Sequence, residues 1–264
     1  MKNAEQNADR FIGFADVYDS ARPSLPPHFL DLIRLYIGHD IGNVVDLGCG
    51  TGLSTAAWEG RCTHVTGIEP SADMLAVAQK KASVAVSFRQ GYSHDTGLPD
   101  SSADAVVCSQ SFHWMEPVST LKEAARLLAP GGVFAAVDCD WPAVCGTEPE
   151  IAYAELFSKV NRMEVELPDV SSTFSRWEKS GHLANIKNSG HFRYVRELVF
   201  ANTEPCTAKR FIGLAQSQGG LQTLMKLHPE LIESDWQKFR SRIEECFGEP
   251  RMVEFCYRVR IGVK

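Results

Sequence analysis

The sequence contains no apolar run long enough to cross a membrane, and its opening residues, MKNAEQNADRF, lack the apolar core of a secretion signal. Both absences lead us to expect a soluble, cytoplasmic protein with no membrane partner. Positive charge is not in excess either. The 27 lysines and arginines face 33 aspartates and glutamates, for a net charge of −6. Without a broad basic face, a nucleic-acid partner is disfavoured. The eight cysteines include no Cys-x-x-Cys and no paired Cys/His spacing, so no zinc or other metal is expected. With no leader to direct the chain to an oxidising compartment, they read as reduced, mostly buried thiols. Internal repeats and low-complexity tracts are also missing. What remains is ordinary globular composition, 44% hydrophobic and 23% charged, in a chain of 264 residues. That length suits one α/β domain with an insertion, or two small domains.

The stretch 44–55, VVDLGCGTGLST, organises the rest. Val44, Val45 and Leu47 read as a buried strand, which carries Asp46 into a loop with glycine at alternate positions, Gly48, Gly50 and Gly52. Glycine there removes a Cβ where the backbone must bend sharply or lie against a ligand. Residues 53–58 can open a helix whose first N–H groups point back at the loop. Asp46, Gly48, Cys49, Gly50 and Gly52 are therefore candidate cofactor-binding residues. A dinucleotide fingerprint would place its third glycine three residues after the second, where this chain has Leu53. A phosphate loop would end in Gly-Lys-Ser/Thr, and this loop has no lysine.

Residues 27–36 keep helical spacing after a proline-rich turn. A second strand over 63–68 ends in Glu69, at about the distance from Asp46 expected of a ribose-binding acid. A carboxylate can accept from both ribose hydroxyls. Ser71 is a candidate N-cap for a helix running to Lys81, and Met74 in its first turn is placed to pack on an adenine face. Strands follow over 84–88 and 103–109, then a helix over 118–128 stopped by Pro130-Gly131-Gly132, then a strand over 133–137. The alternation predicts a doubly wound α/β sheet, parallel, with helices on both faces. In such sheets ligands collect outside the carboxyl ends of the strands. Residues 109–114, SQSFHW, therefore mark where an acceptor and a cofactor would meet. Beyond Asp140 we expect helices over 150–165 and 174–180, and an antiparallel edge pair of strands over 192–200 and 252–263. Residues 203–249 read as a helical lid inserted between them. The whole is one domain, with an N-terminal arm and first helix (1–36), a cofactor-binding core (40–140) and the lid.

The run Asp46-x-Gly-x-Gly-x-Gly52 resembles the first motif of class I S-adenosylmethionine-dependent methyltransferases. Two further segments strengthen the likeness over residues 11–140: Tyr18 with Arg22-Pro23-x-x-Pro26, and Ser109 to Trp114. They are similar to the trans-aconitate methyltransferase-like small-molecule group. The resemblance implies a Rossmann-like, seven-stranded sheet, mostly parallel with an antiparallel C-terminal strand. It implies S-adenosyl-L-methionine as cofactor and S-adenosyl-L-homocysteine as product. It also implies an arm that closes over the cofactor, with Arg22 near the methionine carboxylate and Tyr18 on the substrate side; a guanidinium suits a carboxylate through paired hydrogen bonds. Gln110 would touch the methionine moiety, while Phe112 and Trp114 would face the acceptor; core packing is the other reading of the two aromatics. The family often has an acid after the glycine matching Gly91; here Tyr92, Ser93 and His94 stand there, and Ser93 or its backbone is the first candidate for the adenine contact, with His94 next.

The implied function is methyl transfer to a small-molecule acceptor, with carboxylic acids foremost. An ionised carboxylate needs no general base, whereas a hydroxyl or carbon acid would, and His113 is then the first candidate. A structural histidine is the other reading of that residue. Two alternatives stay open: a cofactor-binding protein without transfer activity, and an NAD(P)-dependent oxidoreductase, against which Leu53 counts. Spacing specifies neither the acceptor nor the oligomeric state.

Overall fold

The computed structural model describes residues 15–264; the part of the expected arm formed by residues 1–14 lies outside the described residues. Helices α1 (Ala15–Ala21) and α2 (Pro27–Ile37) precede the sheet. Pro27 suits the first turn of α2, where its missing N–H costs no hydrogen bond, and Gly38 ends the helix at φ +81°. Between them, Phe29, Leu30 and Ile33 bury one face of α2 against the sheet.

There follow β1 (Asn43–Leu47), the single turn α3 (Leu53–Ala56), β2 (His64–Glu69), α4 (Ala72–Ala78), β3 (Val86–Gln90), β4 (Ala103–Ser109), α5 (Pro117–Leu127) and β5 (Leu128–Cys139). The second half holds α6 (Thr147–Glu166), the short α7 (Pro168–Ser171), α8 (His182–Asn188), β6 (Tyr194–Cys206), α9 (Ala208–Gln216), α10 (Gly219–Leu227), α11 (Pro229–Phe247) and β7 (Arg251–Val263).

The strands form one seven-stranded sheet in the order β3-β2-β1-β4-β5-β7-β6. β1 to β5 pair in parallel, while β7 runs antiparallel to both β5 and β6. This is the Rossmann-like, mostly parallel sheet with an antiparallel C-terminal strand. Side chains alternate across it. Val44, Val65 and Val107 face a core shared with α2, α6 and α9 to α11. Val45, Leu47, Ile68 and Val106 face a second core, covered by α5 and α8. Strands buried on both faces explain the nearly unbroken apolar runs of β1, β4 and β5. The register aligns Asp46 with Gly67 and with Val107, so β1, β2 and β4 end together at one rim.

Several boundaries differ from the sequence-based expectation. The third strand is displaced to Val86–Gln90, and Val84 is left fully exposed. Helix α5 stops at Leu127 and β5 begins at once. Pro130 to Gly132 fall inside the strand, in an irregularity between the pairs Ala103–Leu128 and Ala105–Val133, with Gly131 at φ +83°. Residues 174–178 form no helix, because the Trp177 N–H is given to the His113 carbonyl at 2.8 Å, away from its own segment. Only a 3₁₀ turn, Lys179–Gly181, remains. Finally, β6 runs to Cys206, so the chain leaves the sheet edge later than residue 203.

Gly67 shows how tightly the rim is packed. A Cβ there would lie 2.7 Å from both Cys49 Sγ and the Phe88 ring. Gly67→Ala should cost about 1–3 kcal/mol through overpacking, read as a lowered Tm in thermal unfolding. An unchanged Tm would mean that the rim yields.

Candidate functional site

The rim opens into one cavity of about 860 Å³. Its floor is the turn after β1. The Gly48 and Cys49 N–H groups donate to the Ile68 carbonyl at 2.8 and 3.1 Å, folding the loop back over β2. Gly48 and Gly50 lie at φ +66° and +56°, which favour glycine. Their reasons differ. A Cβ at Gly48 would strike Met115 Cε at 2.6 Å and Ser111 Cβ at 2.8 Å, whereas a Cβ at Gly50 would meet no protein atom within 4 Å. Gly50 faces the cavity, so its bare backbone leaves room for a ligand to lie against it.

Glu69 secures this floor. One carboxylate oxygen accepts the Gly50 N–H and the other the Ser71 N–H, both at 2.9 Å. Each oxygen keeps acceptor capacity for a ligand hydroxyl. Burial pushes the Glu69 carboxyl up to about 7, against the pull of the two N–H groups; Asp46 adds to the rise. Ser71 does not cap α4 with its side chain; its backbone N–H serves Glu69 instead. Met74 is buried and lines the cavity beside Glu69, and Ser93 lines the same end. The Ser93 hydroxyl is 2.8 Å from the Thr120 hydroxyl.

Two expected contacts belong beneath the cradle instead of in it. Asp46 is wholly buried, and its Oδ2 accepts from the Ser54 and Thr55 hydroxyls at 2.6 and 2.7 Å. It joins β1 to α3 and does not reach the cavity. Burial raises its carboxyl to about 6. Gly52, at φ +80°, shapes the turn with its Cα against the Phe88 ring and likewise lies outside the lining. Helix α3 is a single turn, shorter than the sequence suggests, because the Trp58 and Glu59 N–H groups bond three residues back as the chain turns away.

The arm forms one wall. Lys81 Nζ holds Asp19 at 2.7 Å and the Thr51 carbonyl at 3.0 Å, and the Ser24 hydroxyl donates to the Leu53 carbonyl at 3.1 Å. Tyr18 and Arg22 both line the cavity. The Arg22 guanidinium lies between two rings, 4.9 Å from the centre of Tyr18 and 4.7 Å from that of Trp141. It donates to the Ser217 hydroxyl at 2.7 Å and the Ser217 carbonyl at 3.1 Å, tying the arm to the end of α9.

The opposite end gathers around the carboxyl ends of β4 and β5. Gln110 takes φ +54°, and its N–H donates to the Val137 carbonyl at 2.8 Å. Cys49, His113 and Trp114 line the cavity, whereas Phe112 turns into the core against Phe134 and His182. The aromatic pair expected at the acceptor is thus split by the 3₁₀ turn Phe112–Trp114. His113 is buried, with Nδ1 3.8 Å from Asp138 and no hydrogen-bond partner for that nitrogen. Burial, helped by the nearby Lys179, His182, Arg176 and Arg22, holds the imidazole well below its ordinary value, so it is neutral near pH 7.

Several cavity residues carried no sequence motif. Trp141 follows β5, Glu164 comes from α6, and Arg176 and Lys179 come from the irregular segment before α8. The alternation of charge and aromatic in Ser175-Arg-Trp-Glu-Lys179 was the one available signal. The expected lid contributes Ser217 to Gly220 alone to this lining. Among the described residues, no group of three or more His, Cys, Asp or Glu side chains is placed to hold a metal ion. None of the eight cysteines is in a disulfide, and no helix among these residues is long and apolar enough to cross a membrane.

Fold and cavity together define a Rossmann-like domain whose rim can hold a nucleoside cofactor against Gly50 and Glu69. Comparison with known proteins narrows the class. Residues 45–136 match the methyltransferase domain family. An uncharacterized methyltransferase of Mycobacterium tuberculosis (strain ATCC 25618 / H37Rv) is 35% identical over 115 residues, covering 44% of this chain and 46% of that protein. The match thus spans about half the length of that relative. A ubiquinone biosynthesis O-methyltransferase of Xanthomonas oryzae pv. oryzae is 28% identical over 223 residues, covering 72% of this chain and 93% of that one. A solved structure from Anaeromyxobacter dehalogenans, described as a type II methyltransferase, shares the fold with a TM-score of 0.68 and 19% identity, over 92% of this chain and 97% of that one. Residues 45–136 thus carry a methyltransferase domain, set within the Rossmann-like sheet.

The raised Glu69 carboxyl makes the site pH-sensitive. The folded chain holds this proton more tightly than the unfolded chain does, so the contribution of Glu69 to stability declines as pH rises from about 4.5 to about 7. A ligand hydroxyl that donates to Glu69 would be held more strongly by the ionised form than by the acid, so binding through this carboxylate would run the other way. The Kd for S-adenosylhomocysteine should rise as pH falls below about 7, by up to about tenfold per unit. Asp46 titrates in the same region, so Glu69→Gln is the control: calorimetric titration should give a flatter profile. An identical slope in the variant would assign the dependence elsewhere.

Proposed function

We propose that the protein transfers the methyl group of S-adenosylmethionine to a small-molecule acceptor, and that the acceptor is a carboxylic acid. One observation carries this reading. The same cavity joins the Gly50 and Glu69 cradle to an end lined by His113, Arg176 and Lys179. When bound, S-adenosylmethionine supplies a methyl group on a positively charged sulfur. The chain's own work is to bind and align. Glu69 accepts from the ribose hydroxyls, Met74 packs on the adenine, and Ser93 serves its edge. Gln110 and Arg22 meet the methionine end, and Arg22 exchanges its hold on Ser217 for the ligand carboxylate. Tyr18 and Trp114 flank the acceptor. Holding the reacting atoms at near-attack distance away from water can supply on the order of 7 kcal/mol.

A carboxylate arrives ionised and needs no base. A histidine held so far below its ordinary value is a weak base, which fits that assignment. His113 then acts as a neutral wall of the acceptor site, and becomes the base only if the acceptor is a hydroxyl or carbon acid. Residues 207–249 act as the lid, reaching the cavity through Ser217 to Gly220, and free thiols suit a cytoplasmic setting.

Release of S-adenosylhomocysteine across a panel of small carboxylic acids, trans-aconitate included, tests the proposal. We expect turnover that depends on one acid; cofactor binding with no turnover for any acid would overturn the carboxylate assignment. Glu69→Ala should weaken cofactor binding at least tenfold, and unchanged binding would remove the ribose role. His113→Ala should leave kcat for a carboxylate within a few-fold; a loss of a hundredfold or more, in the range of lost general-base catalysis, would restore the histidine as a base. A thermal-shift comparison should show stabilisation by S-adenosylhomocysteine and none by NAD.

A further inference from the structure

At the acceptor end, one cation is set in place by a chain of buried charges. Asp138, at the end of β5, is almost wholly buried; its Oδ2 accepts from Arg260 at 2.6 Å, and its Oδ1 lies 2.8 Å from Lys179 Nζ. Arg260 is itself fixed by Glu197 Oε2 at 2.8 Å. Glu197 also faces Arg258 at 3.0 Å, so Asp138 and Glu197 together serve three cations, Arg258, Arg260 and Lys179, with the more exposed Asp140 3.5 Å from Arg258. Arg260 is the buried partner, with a side chain 5% exposed against 37% for Lys179. The outer ammonium keeps charge to offer the cavity it lines. Its aim is also fixed. A second donor reaches Gln110 Oε1 at 3.4 Å, and the same Asp138 oxygen is 3.8 Å from His113 Nδ1. An ammonium has three donors, and the two interactions leave one.

We infer that Lys179 is a specificity-determining residue, whose ammonium selects acceptors that carry an anionic oxygen beside the transfer point. The inference rests on the methyl-transfer reading for the acceptor's position, and it moves the choice of acceptor from the helical insertion to the segment before α8. Arg176 comes from the same segment, but Glu164 on α6 faces it at 3.4 Å from a nearly buried position, so its charge is largely answered within the protein. Arg22, the third cation of the lining, donates to neutral Ser217 and is the one assigned above to the cofactor's methionine end, which leaves Lys179 to meet the acceptor. A buried Asp138 shared with Arg260 also explains why the ammonium is held in place on an irregular segment, where a lysine would otherwise sample many rotamers at an entropic cost to binding.

The test compares an acid with its uncharged amide: benzoate with benzamide, and succinate with succinamide. Each is titrated calorimetrically into the protein saturated with S-adenosylhomocysteine. The wild type should bind at least one acid tenfold or more tightly than its amide. Lys179→Gln should lose that preference while keeping its affinity for S-adenosylhomocysteine, which also reports that the variant is folded, and Lys179→Arg should restore most of it. With a turned-over acid, Lys179→Gln should raise KM tenfold or more and leave kcat within a few-fold. No preference in the wild type, or an undiminished preference in Lys179→Gln, overturns the inference. Selective binding of an acid without methyl release would uphold the role of Lys179 and defeat the transfer reading, so the two fail separately.

Discussion

The cradle depends on a single carboxylate that reaches across two loops. Glu69 closes the turn after β1 onto the turn after β2 by accepting from Gly50 and Ser71. Without that bridge, two backbone N–H groups at the rim would have to find other partners, and the turn would lose its tie to β2. The bridge is available because β1 and β2 end in register, and because Asp46 anchors the next turn from below through Ser54 and Thr55. Two acids therefore do complementary work at one rim. The buried one shapes the loop, and the one beside the cavity both shapes it and keeps lone pairs for a ligand.

The sheet and the cradle were legible because they depend on local rules. Alternating strands and helices read out the parallel sheet, and glycine spacing with no lysine separated this loop from phosphate and dinucleotide loops. Glu69, Met74, Gln110 and Trp114 all line the cavity: Glu69 was read from its place at a strand end, Met74 from the first turn of the helix that follows, and Gln110 and Trp114 from the segment after β4. Asp46 was assigned to the ligand because sequence cannot tell which side of a turn a side chain takes. The same limit left Phe112 open between core and acceptor: the 3₁₀ turn Phe112–Trp114 sends it into the core and leaves His113 and Trp114 facing the cavity.

The acceptor end was much less legible. Its charges come from β5, β7, α6 and an irregular segment, and their meeting depends on long-range packing that leaves no period in the sequence. The clearest case is Trp177, whose N–H pairs with His113 some sixty residues away. That bond removes the expected helix over 174–180 and brings Arg176 and Lys179 to the cavity wall. Local propensity lost to a tertiary contact, as it does wherever one buried carbonyl needs a donor.

The continuity of the cavity has a consequence for ligand design. No wall separates the Glu69 end from the Lys179 end, so one molecule can occupy both. Joining an adenosine head to an anionic tail through a linker that spans the gap would make the second contact intramolecular, raising its effective concentration to the millimolar range for a short linker. Such a bisubstrate compound would draw selectivity from the segment before α8, where charge placement owes nothing to the shared glycine motif.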